Sequence, residues 1–157
     1  AAFVAADSPL AIAHQQLLDI MAHRRVAVRA VAIEERGLGK WFLQHHPDKA
    51  ALYAQINHFN PSAYAIPPAE WDAAIAALLT PTSLVSLDEV ATLACPTMFL
   101  VGSEDPLVPA SVMRELGALV KDSEVVVIAE AAHSAYFEKA EEFNQQVLGF
   151  LERRATF

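Results

Sequence analysis

Cysteine occurs once in the 157 residues, at Cys95, so the chain can form neither an internal disulfide nor a cysteine-based zinc site. Cys95 lies in the apolar approach to a strand and is expected to be an inert core residue. Basic residues are also scarce. The 11 Lys and Arg against 19 Asp and Glu leave a net charge of −8, with no basic face of the kind a phosphate backbone requires, so no nucleic-acid partner is expected. No apolar run approaches the ~20 residues that span a bilayer. The opening Ala1-Ala2-Phe3-Val4-Ala5-Ala6-Asp7 lacks the basic flank and cleavage pattern of a signal peptide. The expectation is a soluble, cytoplasmic protein with no membrane partner. Internal repeats and low-complexity tracts are missing too. Nor is there a metal cluster: the adjacent His45 and His46 do not share a helical face, and His45-His46-Pro47-Asp48 reads as a solvated helix end. His14, His23 and His58 read as ordinary histidines of a helical region.

What is present is a high apolar content, 54% hydrophobic against 19% charged residues, which excludes intrinsic disorder. The length suits one core, and the mean hydropathy of +0.28 leaves room for surface that a partner segment covers. Residues 1–9 read as a buried core strand stopped by Asp7-Ser8-Pro9. Residues 10–88 read as helices and short loops. Trp41 and Phe42 open a short helix that Pro47 ends, and Asp48 can cap the next, with Leu52 and Ile56 along its inner face. A further helix starts at Pro67-Pro68 and would bury Trp71. Residues 89–157 read as β-α-β-α, with strands over 97–101 and 124–129, each expected to be covered on both faces. Helices are expected over 110–120 and 140–153, the last with an inner stripe of Phe143, Val147 and Leu151.

In open parallel sheets, ligands bind beyond the carboxyl ends of the strands. Asp105 and His133 each follow one of the two strands closely, so both fall on that edge, in loops close enough to hydrogen-bond. Such an Asp fixes an imidazole tautomer and stabilises the imidazolium, while the His takes a proton from a nucleophile. Gly102 and Pro106 fit a sharp loop that aims the Asp. Leu107 and Val108, directly after the acid, are candidates for a substrate-pocket wall. Trp41 and Phe42 are candidate substrate contacts because they follow a Gly-bounded break.

The segment from Cys95-Pro96-Thr97 through Gly102-Ser103-Glu104-Asp105-Pro106-Leu107-Val108-Pro109 resembles the C-terminal part of the α/β-hydrolase superfamily. So does Ala132-His133-Ser134-Ala135-Tyr136-Phe137-Glu138, with Glu141-Glu142-Phe143-Asn144 beginning the closing helix. The pattern is similar to the enol-lactonase and carboxylesterase branch. The resemblance implies an α/β fold in which parallel strands flanked by helices carry an inserted helical lid. It makes 1–9 a core strand, 10–88 the lid and 89–157 the C-terminal core. It also makes Asp105 the triad acid and His133 the triad base. Asp7, after the first strand, is a competitor for the acid role. The family usually has Gly before the base, and Ala132 suits that place if its φ is negative.

No G-x-S-x-G nucleophile elbow occurs in these residues. The nucleophile, expected to be Ser, and the oxyanion loop are therefore expected from an N-terminal half of the same fold, in the same precursor or in a second chain. The implied function is cofactor-free hydrolysis of small, largely apolar esters, lactones or related carbonyl compounds. The alternatives are a non-catalytic ligand-binding relative, or an Asp-nucleophile relative such as an epoxide hydrolase or dehalogenase.

Overall fold

Thr97-Met98-Phe99-Leu100-Val101-Gly102 and Ser123-Glu124-Val125-Val126-Val127-Ile128 are rich in β-branched and aromatic side chains, which favour extended backbone. In the structure, a computed structural model that describes residues 32–59 and 85–154 together with 67, 69, 70, 73, 74 and 77, they form strands β1 (Thr97–Gly102) and β2 (Ser123–Ile128). The strands pair in parallel, with Thr97 opposite Ser123 and Gly102 opposite Ile128. In-register ends of this kind place both following loops at one edge of the sheet.

Parallel neighbours need a crossover, and helix α5 (Ala110–Leu119) supplies it, packing on both strands. Its Gly117 permits the close approach, since a Cβ there would collide with Val125 Cγ2. The short helix α6 (Ala135–Glu138) follows β2 and its loop, and α7 (Ala140–Arg154) closes the described chain. Glu141 and Glu142 in the first turn of α7 and Arg153 and Arg154 in its last complement the helix dipole. Arg153 also reaches Glu124 at 2.8 Å and Arg154 reaches Asp122 at 2.9 Å, tying the helix end to the start of β2.

Before the sheet, the described elements are all helical: α1 (Ile33–Gly37), α2 (Lys40–His45), α3 (Pro47–His58) and α4 (Leu87–Ala91). Pro47 opens α3, where its missing N–H has no helical acceptor to lose. Ser86 and Glu89 close a capping box around the first turn of α4. Leu38, Phe42, Ala50 and Tyr53 form the core of the 32–59 segment. Ile128, Ala131 and Ala135 form a second core under the sheet edge, with Leu100, Val126 and Phe143 packed on it. Helix α6 joins the two: Ala135 belongs to the second, while the Phe137 ring lies 5.2 Å from Tyr53 and 5.9 Å from Phe42.

The strand and helix order expected over 97–154 is present, with bounds shifted by a residue, and α6 is an addition. Five expectations are corrected. Asp48 lies in the first turn of α3 rather than capping it, because His46 occupies the cap position. The buried face of α3 carries Ala50 and Tyr53, while Leu52 and Ile56 are about half exposed, at 50% and 56%. Leu151 likewise faces outward at 52% exposure, leaving Phe143 and Val147 on the inner side of α7. Cys95 is exposed, since it lies in the turn before β1 rather than under it. Covering on both faces is reached only at Val101, Gly102 and Ile128; the other strand residues are half-buried in a sheet of two strands among the described residues. Residues 1–31, with the strand expected over 1–9, Asp7, His14 and His23, and also Trp71, lie outside the described residues. No helix among the described residues is long and apolar enough to cross a membrane.

Candidate active site

The loops after β1 and β2 are fastened to each other by two backbone hydrogen bonds and one to a side-chain hydroxyl. Ser103 N–H donates to Ile128 C=O at 2.8 Å, Glu104 N–H to Ala131 C=O at 2.8 Å, and Glu130 N–H to the Ser103 hydroxyl at 3.0 Å. Gly102 makes this possible: a Cβ there would collide with the carbonyl oxygens of both Ala131 and Ala132. Glu130, at φ 55°, takes the left-handed conformation that turns the chain out of β2, and Lys139 pairs with its carboxylate at 3.0 Å.

Asp105 sits in the first of these loops with a side chain only 5% exposed. Pro106 offers no N–H, so the nearest amides ahead are those of Leu107 and Val108. Both donate to Asp105 Oδ1, at 2.8 and 2.9 Å. That pair of bonds fixes the carboxylate plane and leaves Oδ2 for His133, whose Nδ1 lies 3.0 Å away. A carboxylate only accepts, so Nδ1 carries the proton and donates, and in the neutral imidazole the lone pair is on Nε2. The His133 side chain is 46% exposed, whereas Ala131, Ala132 and Ser134 around it are buried. The loop backbone is thus rigidly seated while the ring stands in the open. Ala132 has no positive φ, the condition under which Ala serves in place of Gly before this His.

An apolar groove of about 290 Å³ opens at the pair, walled by Val108, Met113, Tyr136 and Phe143 beside Asp105 and His133. This is near the lower end of the ~300–1,000 Å³ typical of small-molecule sites.

Of the residues expected at a site, the structure brings Asp105, His133 and Val108 together. Leu107 contributes its backbone N–H to Asp105, while its side chain is exposed and is not part of the groove wall. Phe42 is corrected: at 1% exposure it fills the core of the helical segment, against Phe137 and Tyr53, because the short α2 turns it inward. Trp41 does not line this groove. Lys139 Nζ lies 3.8 Å from its ring centroid and His45 stacks on it at 4.5 Å, away from the groove. His45 Nδ1 also donates to Trp41 C=O at 2.7 Å. Among the described residues no three or more His, Cys, Asp or Glu side chains are grouped to hold a metal ion. Sequence reasoning gave no role to Tyr53, Ser134, Glu104 or Glu138, all of which hold the His133 loop or the turn beside it. A signal did exist for Glu138, because a carboxylate inside the apolar run Ala135-Tyr136-Phe137 must find donors.

A parallel pair of strands joined by a crossover helix, with a hydrogen-bonded Asp–His pair in the loops at one sheet edge beside an apolar groove, defines the class of the chain as an α/β fold. Comparison with known proteins gives the family. The family model for the alpha/beta hydrolase fold matches residues 31–140, and the chain belongs to that family. It is 36% identical over 66 residues to a pimeloyl-[acyl-carrier protein] methyl ester esterase of Vibrio cholerae, a match covering 42% of this chain and 26% of that protein. It is 39% identical over 62 residues to a 2-hydroxy-6-oxononadienedioate/2-hydroxy-6-oxononatrienedioate hydrolase of a Pseudomonas species, covering 40% and 22%. Among solved structures, a thermophilic esterase from Thermogutta terrifontis superimposes with a TM-score of 0.66 at 27% identity, over 96% of this chain and 53% of that one. The chain therefore spans about half the length of that esterase, and its matches cover about a quarter of each of the two curated relatives.

Proposed function

We propose that this chain carries the acid–base half of a nucleophile–His–Asp triad in a cofactor-free hydrolase of small, largely apolar esters, lactones or related carbonyl compounds. The observation that carries the reading is the 3.0 Å contact between His133 Nδ1 and Asp105 Oδ2, with the other carboxylate oxygen already held by two backbone amides. In the proposed reaction His133 Nε2 removes the proton of a serine hydroxyl as that oxygen attacks the substrate carbonyl. The imidazolium that forms is stabilised by Asp105 and then protonates the leaving group. Water then attacks the acyl carbon as His133 Nε2 takes its proton; the acyl–serine bond breaks, the acid is released, and His133 returns the proton to the serine oxygen. The serine and the oxyanion donors come from a further segment of the same fold outside these 157 residues, in the same precursor or in a second chain.

Two further observations support the substrate class. The groove beside the pair is walled mainly by apolar side chains, with Val108 next to the acid. The relatives at 36% and 39% identity are named as a methyl ester esterase and as a hydrolase of an oxo-dienedioate, which supports the kind of bond and not the polarity of the substrate.

The test is ester hydrolysis by the complete protein. His133→Ala removes the only proposed proton carrier from an exposed loop position. It is expected to abolish turnover of p-nitrophenyl esters while leaving thermal unfolding near that of the wild type. Chelators are expected to leave the wild-type rate unchanged. A wild-type rate in His133→Ala rules out His133 as the base, and loss of activity on chelation points to a metal mechanism instead.

A further inference from the structure

Glu138 is a carboxylate at 7% exposure, at the end of the apolar helix α6, and its two oxygens hold two separate parts of the protein. Oε1 accepts the N–H of Ala132 at 2.8 Å, and Oε2 accepts the N–H of Gly39 at 2.6 Å. Ala132 is the residue directly before the proposed base. Gly39 is the N-cap of α2 in the helical segment. The next amide of that turn, Lys40 N–H, donates at 2.7 Å to Glu104, the residue directly before the proposed acid. On the far side of His133, Ser134 N–H donates to Gly37 C=O at 2.8 Å, and the Ser134 and Tyr53 hydroxyls are 2.8 Å apart. Both chain neighbours of His133 are therefore anchored, and on one side the anchor is a single buried side chain.

A buried charge is costly unless its oxygens are satisfied. Burial pushes the Glu138 carboxyl above the usual carboxylate range; the N–H groups of Gly39 and Ala132 pull against this, Glu104 adds to the rise and Lys139 opposes it. A group kept under that penalty for bonds to two backbone amides suggests a task beyond filling space.

We infer that Glu138 is a positioning residue, bridging Ala132 to Gly39 so that the helical segment holds His133 in its place beside Asp105. The inference rests on the triad reading above and adds a residue to it. The chemistry of the bridge is specific. Each oxygen takes one N–H, so both must be acceptors. Gln offers one oxygen and turns an NH2 toward the other amide, breaking one of the two bonds. Asp keeps both acceptors on a shorter stem. A Cβ at Gly39 would stand 3.1 Å from Glu138 Oε2 and 2.9 Å from Glu104 Oε2, so Gly39→Ala crowds the same bridge while leaving Glu138 itself unchanged.

The experiment compares kcat and KM for a p-nitrophenyl ester in the complete protein and its Glu138→Gln, Glu138→Asp, Gly39→Ala and His133→Ala variants, with the folded fraction measured by thermal unfolding. Misplacing a catalytic group by a fraction of an ångström or more is expected to lower kcat of Glu138→Gln about 10- to 100-fold. KM should stay within about twofold, because the bridge does not touch substrate. Glu138→Asp should recover part of the loss, and Gly39→Ala should show a smaller loss in the same direction. Wild-type kcat in folded Glu138→Gln overturns the inference, as does a loss that Glu138→Asp does not recover. If Glu138→Gln does not fold, Gly39→Ala decides, and wild-type kcat there overturns the inference. His133→Ala separates the two levels. If it is inactive while Glu138→Gln is normal, only the positioning role fails; if it is active, the triad reading itself fails.

Discussion

At the scale of the residue, Asp105 shows how a loop can dictate the state of a distant ring. Oδ1 is taken by the amides of Leu107 and Val108, so whatever replaces Oδ2 must face His133 Nδ1. In Asp105→Asn the oxygen is required at the two amides, and the NH2 therefore points at the ring. His133 must then accept at Nδ1, which puts its proton on Nε2 and leaves no lone pair for the nucleophile. A fall in kcat on the order of 10⁴ is expected, as in the serine-protease case of the same substitution, with little change in stability. Steady-state hydrolysis by the variant checks this, and a loss below about tenfold would show that the tautomer is set by something else. Asp105 and His133 were legible in the sequence because each lies a few residues beyond a strand, and parallel strands bring such positions to one edge. Glu138 was legible only as a carboxylate in need of donors, since its partner Gly39 lies 99 positions away, and Tyr53 was not legible, because Ser134 lies 81 positions away and no local pattern joins them.

At the scale of the element, the two strands and the helices around them were readable because each carries its own periodicity and its own stops. The inner face of a helix proved harder to assign. Leu52, Ile56 and Leu151 fit an apolar stripe yet are about half exposed, while Ala50 and the amphipathic Tyr53 are buried, Tyr53 because Phe137 and Ser134 meet it there. Tertiary partners override periodicity when the stripe is short. Trp41 and Phe42 illustrate the same point from the functional side: aromatic residues after a glycine break could line a pocket or pack a core, and α2 turns Phe42 into the core. The joint between the loops depends on Gly102, whose missing Cβ lets the Ala131 and Ala132 carbonyls close over the end of β1. Gly102→Ala is expected to separate the two loops, with a destabilisation of about 1–3 kcal/mol from overpacking and a larger proportional loss in hydrolysis than in the fraction folded. Chemical denaturation together with activity at a fully folded condition checks it. Unchanged activity in the folded variant would mean that the close contact does not set the Asp105–His133 distance.

At the scale of the whole molecule, the sheet edge, the crossover and the 32–59 helical segment converge on one imidazole. Asp105 orients it from below, the buried residues Ala132 and Ser134 seat its backbone, and an apolar groove opens beside it. No elbow motif occurs in these 157 residues, and in the proposed function the nucleophile comes from a segment outside them. The measurement that bears most directly on the central claim is the crystal structure of the complete protein after reaction with a fluorophosphonate ester. The account predicts a phosphonylated serine whose oxygen lies ~2.6–3.2 Å from His133 Nε2, with the Asp105 contact to Nδ1 retained. A serine adduct remote from His133, or no adduct on a fully active protein, would contradict it.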